Sequence, residues 1–404
     1  MRKTLMWVLA AGCCVGSYAT DARVVSMGRH DAFFMDEVSI FRNPANISIY
    51  PNMVYGSIGV YKPNDSLDNV GTGSAIDKYN RDPIDPFWGA IISYSLEHGT
   101  DGGNQYPMLS FGAIVNRRDE MLDYISKGTD KFIGTEKDKV VEPVGKVDLL
   151  LGYVLKNGGM IGGGVYGALQ NDKRNNVLNK SALYKGNLGL NWPIAKTMDL
   201  EISVGMGMMT LIADTNGVRP DTLAKNNYFG RVEGRLFSAL SSLNGDFVPH
   251  VRLDVLELSR FKVTKVDLAA GIGLNLNFDK GFFWSGLEFL YGQKDSANYS
   301  AKEYVGGRIS FGIERNIWTD WLVIRAGGQK SIVYMKENSN SRYIENASAD
   351  QSDHDMLGIG FGINIDNRLR IDFVAAEDIA FTFTNLFSAP QHHLFNRVSA
   401  TYSF

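Results

Sequence analysis

KVDLAAGIGLNLNF, from Lys265 to Phe278, alternates with a strict period of two. Val266, Leu268, Ala270, Ile272, Leu274, Leu276 and Phe278 fall on one face, and Asp267, Gly271, Gly273, Asn275 and Asn277 on the other. The run is longer than the ~5–6 residues usual for a strand of a soluble domain and matches the ~9–11 of a tilted membrane strand. Met356 to Asp366 repeats it, with Leu357, Ile359, Phe361, Ile363 and Ile365 against Gly358, Gly360, Gly362 and Asn364. Met198 to Thr210 does so again, with Leu200, Ile202, Val204, Met206 and Met208 against Glu201, Ser203, Gly205 and Gly207. In each run the apolar face is the unbroken one. A soluble sandwich shows polar or charged residues outward; an apolar-out, polar-in pattern is that of a transmembrane barrel.

The same reading predicts strands at 52–62, 87–97, 107–117, 144–156, 160–170, 182–192, 226–238, 247–258, 282–292, 303–314, 321–335, 369–376 and 394–404. The weakest patterns are 247–258 and 369–376. The connectors alternate. Short ones fall at Asn157-Gly158-Gly159, at Pro193, at Asp279-Lys280-Gly281, from Asn316 to Asp320 and at Asp366-Asn367. Long ones fall at 63–86, 118–143, 171–181, 211–225, 293–302, 336–355 and 377–393. This is the layout of an antiparallel barrel of sixteen strands, an even number that puts both termini on the short-turn, periplasmic side. The last strand ends Val398, Ala400, Tyr402, Phe404 on its apolar face. Tyr402 and the terminal Phe404 resemble the C-terminal signature read by the outer-membrane barrel assembly machinery.

The 404-residue chain opens with Arg2 and Lys3, an uncharged segment from Thr4 to Gly16, and Ser17-Tyr18-Ala19. That order reads as a signal peptide over residues 1–19, cleaved after Ala19 and too short to span a membrane. Both cysteines, Cys13 and Cys14, fall inside it, so no disulfide framework or thiolate metal site is expected in the mature chain. Losing Arg2 and Lys3 takes Lys plus Arg from 41 to 39 against 44 Asp plus Glu, a net charge of −5. A mildly acidic chain argues against a nucleic-acid partner. The 43 glycines, 22 phenylalanines and 18 tyrosines suit an all-β protein with tight turns and aromatic girdles.

Between signal and first strand lies Val24 to Tyr50, VVSMGRHDAFFMDEVSIFRNPANISIY. It has no period of two. Asp36 is placed to cap a short helix carrying Val38, Ile40 and Phe41; Asn43 is placed as N-cap and Pro44 as first residue of a second, ending near Pro51. The residues Met27-Gly28, Asp36-Glu37, Val38 to Phe41 and Asn43-Pro44-Ala45 together resemble the N-terminal hatch of the FadL-like outer-membrane proteins, a superfamily that includes the PorV-like proteins of type IX secretion. Where that family usually has a Gly-Leu-like pair, this chain has Asn46-Ile47. The resemblance implies a hatch over residues 20–51 plugging a barrel over 52–404, fourteen strands rather than sixteen, and an outer-membrane location. It also implies transport of fatty-acid-like hydrophobic molecules. The alternatives are a PorV-like component binding a secreted protein and a structural outer-membrane protein. Outer-membrane lipids and the assembly machinery are the expected partners.

The apolar hatch residues must find cover, and glycine rows such as Gly358, Gly360 and Gly362 offer close approach from the lumen wall. Phe33, Phe34 and Phe41 are the hatch side chains expected to touch an apolar ligand. Phe229, Arg231, Glu233, Arg235 and Phe237 share one face of their strand, which must be the wet one because a charge facing lipid costs ~2–4 kcal/mol. Arg231 and Arg235 therefore either bind an acidic ligand head or pair with Glu233 or the plug. Gly162-Gly163-Gly164-Val165-Tyr166-Gly167 spells G-x-G-x-x-G, but no helix follows, so the glycines are read as a bend or a close approach rather than a phosphate cradle. The six histidines show no metal-binding spacing, and no G-x-S-x-G elbow is present. Asp350, Asp353 and Asp355 read as a solvated loop. No catalytic residue, metal or cofactor is expected.

Overall fold

The computed structural model describes residues 21–59, 86–96, 107–122, 143–174, 177–214, 220–258, 263–296, 302–317, 321–337, 340–345, 356–366, 368–375 and 395–404. The expected signal peptide, the acidic loop at 350–355 and most of the connectors at 63–86, 118–143 and 377–393 lie outside these residues.

Strands β1 (Met53–Gly59), β2 (Phe87–Ser95), β3 (Met108–Val115), β4 (Gly145–Val154), β5 (Met160–Arg174), β6 (Val177–Ala195), β7 (Met198–Asp214) and β8 (Pro220–Leu240) form the first half of one antiparallel ring. The ring continues through β9 (Gly245–Leu258), β10 (Val263–Phe278), β11 (Gly281–Ser296), β12 (Lys302–Asn316) and β13 (Leu322–Glu337). It ends with β14 (Asn340–Glu345), β15 (Met356–Ile365), β16 (Leu369–Ala375) and β17 (Phe395–Ser403). Closure is made by β1, which pairs with β2 on one side and with β17 on the other, Met53 opposite Ser403. β14 pairs with the upper end of β13 and β15 with its lower end, so these two share one place and the barrel has sixteen positions. The residue pattern thus counts correctly, and the fourteen implied by the resemblance does not hold. Both weakest stretches, 247–258 and 369–376, are wall strands.

The two faces fall as the alternation requires. Ile272, Leu287, Phe289, Ile309, Phe311, Leu357 and Ile359 are exposed outward, where lipid would cover them, while Ser110, Glu201, Asn275, Glu288, Arg308 and Arg325 are buried inward. No helix among the described residues is long and apolar enough to cross a membrane; the crossing is made by strands. The turns expected to be short from the sequence lie at the end that carries the chain termini. Asp279 and Lys280 make a tight hairpin with Lys280 at φ 58°.

Two expected loops are mostly strand and a third is half strand. β5 runs to Arg174 and β6 starts at Val177, β7 and β8 reach Asp214 and Pro220, and β11 and β12 reach Ser296 and Lys302. Period-two reading needs one apolar face. Beyond the lipid edge both faces are wet, so the ladder continues while the pattern stops. β14, inside the expected loop 336–355, escapes for the same reason. Pro193, read as a turn, instead sits inside β6 at a register shift, and the turn comes at 196–197.

Candidate functional site: the plug and its seat

Residues 21–50 fill the lumen at the terminus-bearing end as two pieces joined by a short helix, Ser39–Arg42. The first piece starts with the helix Asp21–Ser26, which packs on β13, β15, β16 and β17. That helix was not expected: it is one and a half turns long and follows directly on the predicted cleavage site. The second piece is a 3-10 helix, Pro44–Ile49, which packs on β3, β4, β5 and β6.

The Asn43-Pro44 reading holds. Asn43 is extended, its side-chain oxygen accepts the amide of Ala45 at 3.1 Å, and Pro44 takes the first helical position. Asp36 does not cap a helix. It accepts from the Val38 amide at 3.2 Å, the helix begins only at Ser39 without a side-chain cap, and the second oxygen of Asp36 turns to Arg23. Burial beside a guanidinium outweighs a solvent-type cap there.

Glycines shape the seat of the second piece. A Cβ on Gly162 would collide with the backbone of Pro44 and Ala45, and one on Gly189 with the Asn43 side chain; Gly112 and Gly152 make room for Ile47. The G-x-G-x-x-G run is therefore a docking notch for the plug at its first glycine, while Gly167, its last, has open space. Asn46 and Ile47, the departure from the expected Gly-Leu-like pair, are both fully buried. Asn46 donates to Glu201 at 3.1 Å and to Ser39 at 3.3 Å. Ile47 joins Ile40, Tyr50, Met53, Tyr55, Phe87, Ile91, Ile114 and Leu150 in one apolar cluster.

On the opposite wall the Met27-Gly28 pair has its own cause. Gly28 stands at φ +95°, and a Cβ there would meet Gly328 at 2.8 Å. A left-handed backbone pressed against a strand admits only glycine without strain. Gly358 and Gly360 face Val25 and Ser26 as the glycine-row argument requires; Gly362 faces Arg325 and Asp372 instead.

Phe33 and Phe34 are fully buried, not exposed to the pore. With Val24, Met27 and Ala32 they pack on Val248, Phe282 and Trp284, and the Phe34 ring lies 5.1 Å from that of Trp284. Phe41 is partly buried; the Arg117 guanidinium covers its ring at 4.1 Å. Arg117 and the turn Glu120–Leu122 enter from the long-loop end, held by Asp148 and by Asp119, which takes Lys185 of β6 at 3.2 Å. Although burial pushes the Asp119 carboxyl up, Lys185 and Arg117 hold it below its ordinary range.

Ion pairs bind the plug to the wall. Arg235, one of the two candidate ligand arginines, pairs with Glu201 at 2.9 Å and donates to the plug carbonyls of Asp31, Ala32 and Phe34. Arg231 stands higher on the same strand and pairs with Asp254. Glu233 takes neither; it binds Arg42 of the plug at 3.2 Å and His250 at 3.0 Å. His30 meets Glu288 at 2.8 Å, and burial lowers its pKa against the pull of that carboxylate. Arg23 joins Glu314 at 2.8 Å and Asp36 at 3.1 Å, and Arg325, Arg370 and Asp372 complete that cluster. Glu288, Glu314, Arg325, Arg370 and Asp372 were not singled out from sequence. The signal available was a charge on an inward Gly- or Ser-rich face close to a short turn. Tyr402 and Phe404 point outward and are exposed, with the Phe404 amide donating to Asn52.

The fold and site thus define a sixteen-position barrel closed from within by its own N-terminal segment. No family model matches the chain, and no curated protein does. Among solved structures it is similar to the Pseudomonas putida toluene transporter TodX, at 10% identity over 96% of this chain and 98% of that one, TM-score 0.36. It is also similar to a Pseudomonas aeruginosa FadL homologue, at 11% identity over 95% and 98%, TM-score 0.40. CdiB from Escherichia coli gives 11% identity over 87% of this chain and 63% of that one, with the same TM-score of 0.40.

Proposed function

We propose that the protein is an outer-membrane channel that passes small hydrophobic molecules, fatty-acid-like ones among them, when its plug moves. The observation that carries this reading is the chemistry of the wall behind the plug. A water-filled pore has a polar interior. Here the lumen wall presents Tyr55, Phe87, Ile91, Ile114 and Leu150 on one side and Val248, Phe282 and Trp284 on the other, all covered by the plug. A displaced plug uncovers these two apolar patches, which suit an apolar solute, beside the wall charges that held it, Glu201, Arg235, Glu288 and Glu314. The plug brings Phe33, Phe34 and Phe41 to that surface, and Arg231 lies above it for a polar end. Both termini would face the periplasm, and no step calls for catalysis or a cofactor.

The test is electrical and chemical. The intact barrel should be nearly silent in planar bilayers and copurify with hydrophobic molecules seen by native mass spectrometry. Deleting Ser26 to Ile49 should leave a heat-modifiable barrel that conducts. Equal conductance of both forms would remove the plug from the mechanism. A silent barrel that binds no lipid but copurifies with a secreted protein would replace transport by a secretion role.

A further inference from the structure

The cluster around Arg23 contains four carboxylates, Asp36 and Glu37 from the plug and Glu314 and Asp372 from the wall, against three guanidiniums, Arg23, Arg325 and Arg370. All seven side chains are buried. Three carboxylates are matched: Glu314 meets all three guanidiniums, Asp372 meets Arg325 at 2.8 Å and Arg370 at 3.0 Å, and Asp36 meets Arg23 at 3.1 Å. Glu37 is the one left over. Its Oε2 accepts from the Thr401 hydroxyl at 3.2 Å, and its Oε1 has no hydrogen-bond partner.

The groups that face Glu37 give it little reason to ionise. From the plug come Asp36 and the Tyr50 phenol, from β1 the Tyr55 phenol, from β16 Arg370 and Asp372, and from β17 Thr401. Arg370 is the one cation among them, and Glu314 and Asp372 already hold it. An unpaired ionised carboxylate in such a site costs far more than a neutral carboxyl.

We propose that the N-terminal half of the plug docks with a proton on Glu37, and that loss of that proton loosens Asp21 to Glu37 from the wall. Burial, with Asp36 adjoining, pushes the Glu37 carboxyl well above its ordinary range, while burial takes Asp36, held by Arg23, only to about 7. A carboxyl raised on docking stabilises the docked state fully below its undocked pKa and loses that contribution as pH rises through the docked value. Alkali is therefore the releasing condition. The second piece of the plug, seated on glycines and apolar side chains, takes no part.

This rests on the plug's seat alone and holds whatever the channel carries. The experiment uses the full-length barrel in detergent, with Ser26→Cys or Ser48→Cys as a buried reporter in each half of the plug. Thiol labelling is normalised to the unfolded protein at the same pH, which removes the reagent's own pH dependence. Labelling at Ser26→Cys should rise about tenfold or more between about pH 5 and about pH 9, one pKa unit being worth a factor of ten. Labelling at Ser48→Cys should stay low throughout. Adding Glu37→Gln, a permanent stand-in for the protonated acid, should hold the Ser26→Cys signal low and flat; Asp36→Asn should keep the rise. A rise that survives Glu37→Gln, a flat profile in the parent, or a rise abolished by Asp36→Asn instead would each overturn the proposal.

Discussion

The two ends of the plug are held to opposite walls by different physics. The second piece, Asn43 to Tyr50, is held by shape: its backbone lies against Gly162 and Gly189, and Ile47 fills the space left by Gly112 and Gly152. The first piece, Asp21 to Glu37, adds to its own apolar packing on Val248, Phe282 and Trp284 a buried charge cluster against β12, β16 and β17 that the second piece lacks. Shape gives a contact that neither salt nor pH alters. A buried ion network responds to protons and punishes removal of any one partner. The second piece also runs straight into β1 through Pro51 and Asn52. Under the proposal above, the plug loosens from its first piece.

The largest break in that contrast should come from Gly162→Val. Its branched side chain has no room beside Pro44 and Ala45, so the second piece should unseat and Ser48→Cys should label as fast as in unfolded protein. Gly167→Ala, five residues along the same strand, meets nothing within 4 Å and should label like the parent. Next is Arg23→Met. It strips Asp36 of its cation and Glu314 of one of three, an effect on the order of 3–5 kcal/mol for a broken buried pair. Ser26→Cys should become reactive while Ser48→Cys stays protected, and equal exposure of both would show the plug to move as one body. Raising salt to about 1 M should leave both reporters protected, because buried pairs are poorly screened. The smallest effect belongs to Arg231→Ala. Its pair with Asp254 is about a quarter exposed, and Arg252 also reaches Asp254 at 3.1 Å. A change of ~0–1 kcal/mol in thermal or denaturant stability is expected, and a shift in plug labelling would mean that Arg231 reaches the seat.

Much of the wall was legible because a membrane imposes one rule on it. An outward apolar face at every second residue is unavoidable, so Lys265–Phe278 and Met356–Asp366 announce both their strands and their inward faces. The Asn43-Pro44 corner was legible because cap and proline act locally. The ion network was not. Glu314 and Arg325 are opposed by the register of β12 and β13, and Arg370 and Asp372 enter from β16. In the chain each is a lone charge on a polar face, and only the ring's closure makes them neighbours. The same holds for Arg117 over Phe41, which brings a far-end connector onto the plug.

Two contacts tie the start of the described chain to its last strand. Ala22 donates to Ser399 and Glu37 accepts from Thr401, contacts that join positions 377 and 364 residues apart. The wall that receives the first piece is therefore the last to be made, and the loop to be closed is nearly the whole chain. Contacts of such separation form late. Until β17 is in place, Glu37 lacks Thr401 and Ala22 lacks Ser399, so an unfinished barrel is an open one. Sealing is a property that only the completed ring acquires, and it makes closure of the pore a report on completion of the fold.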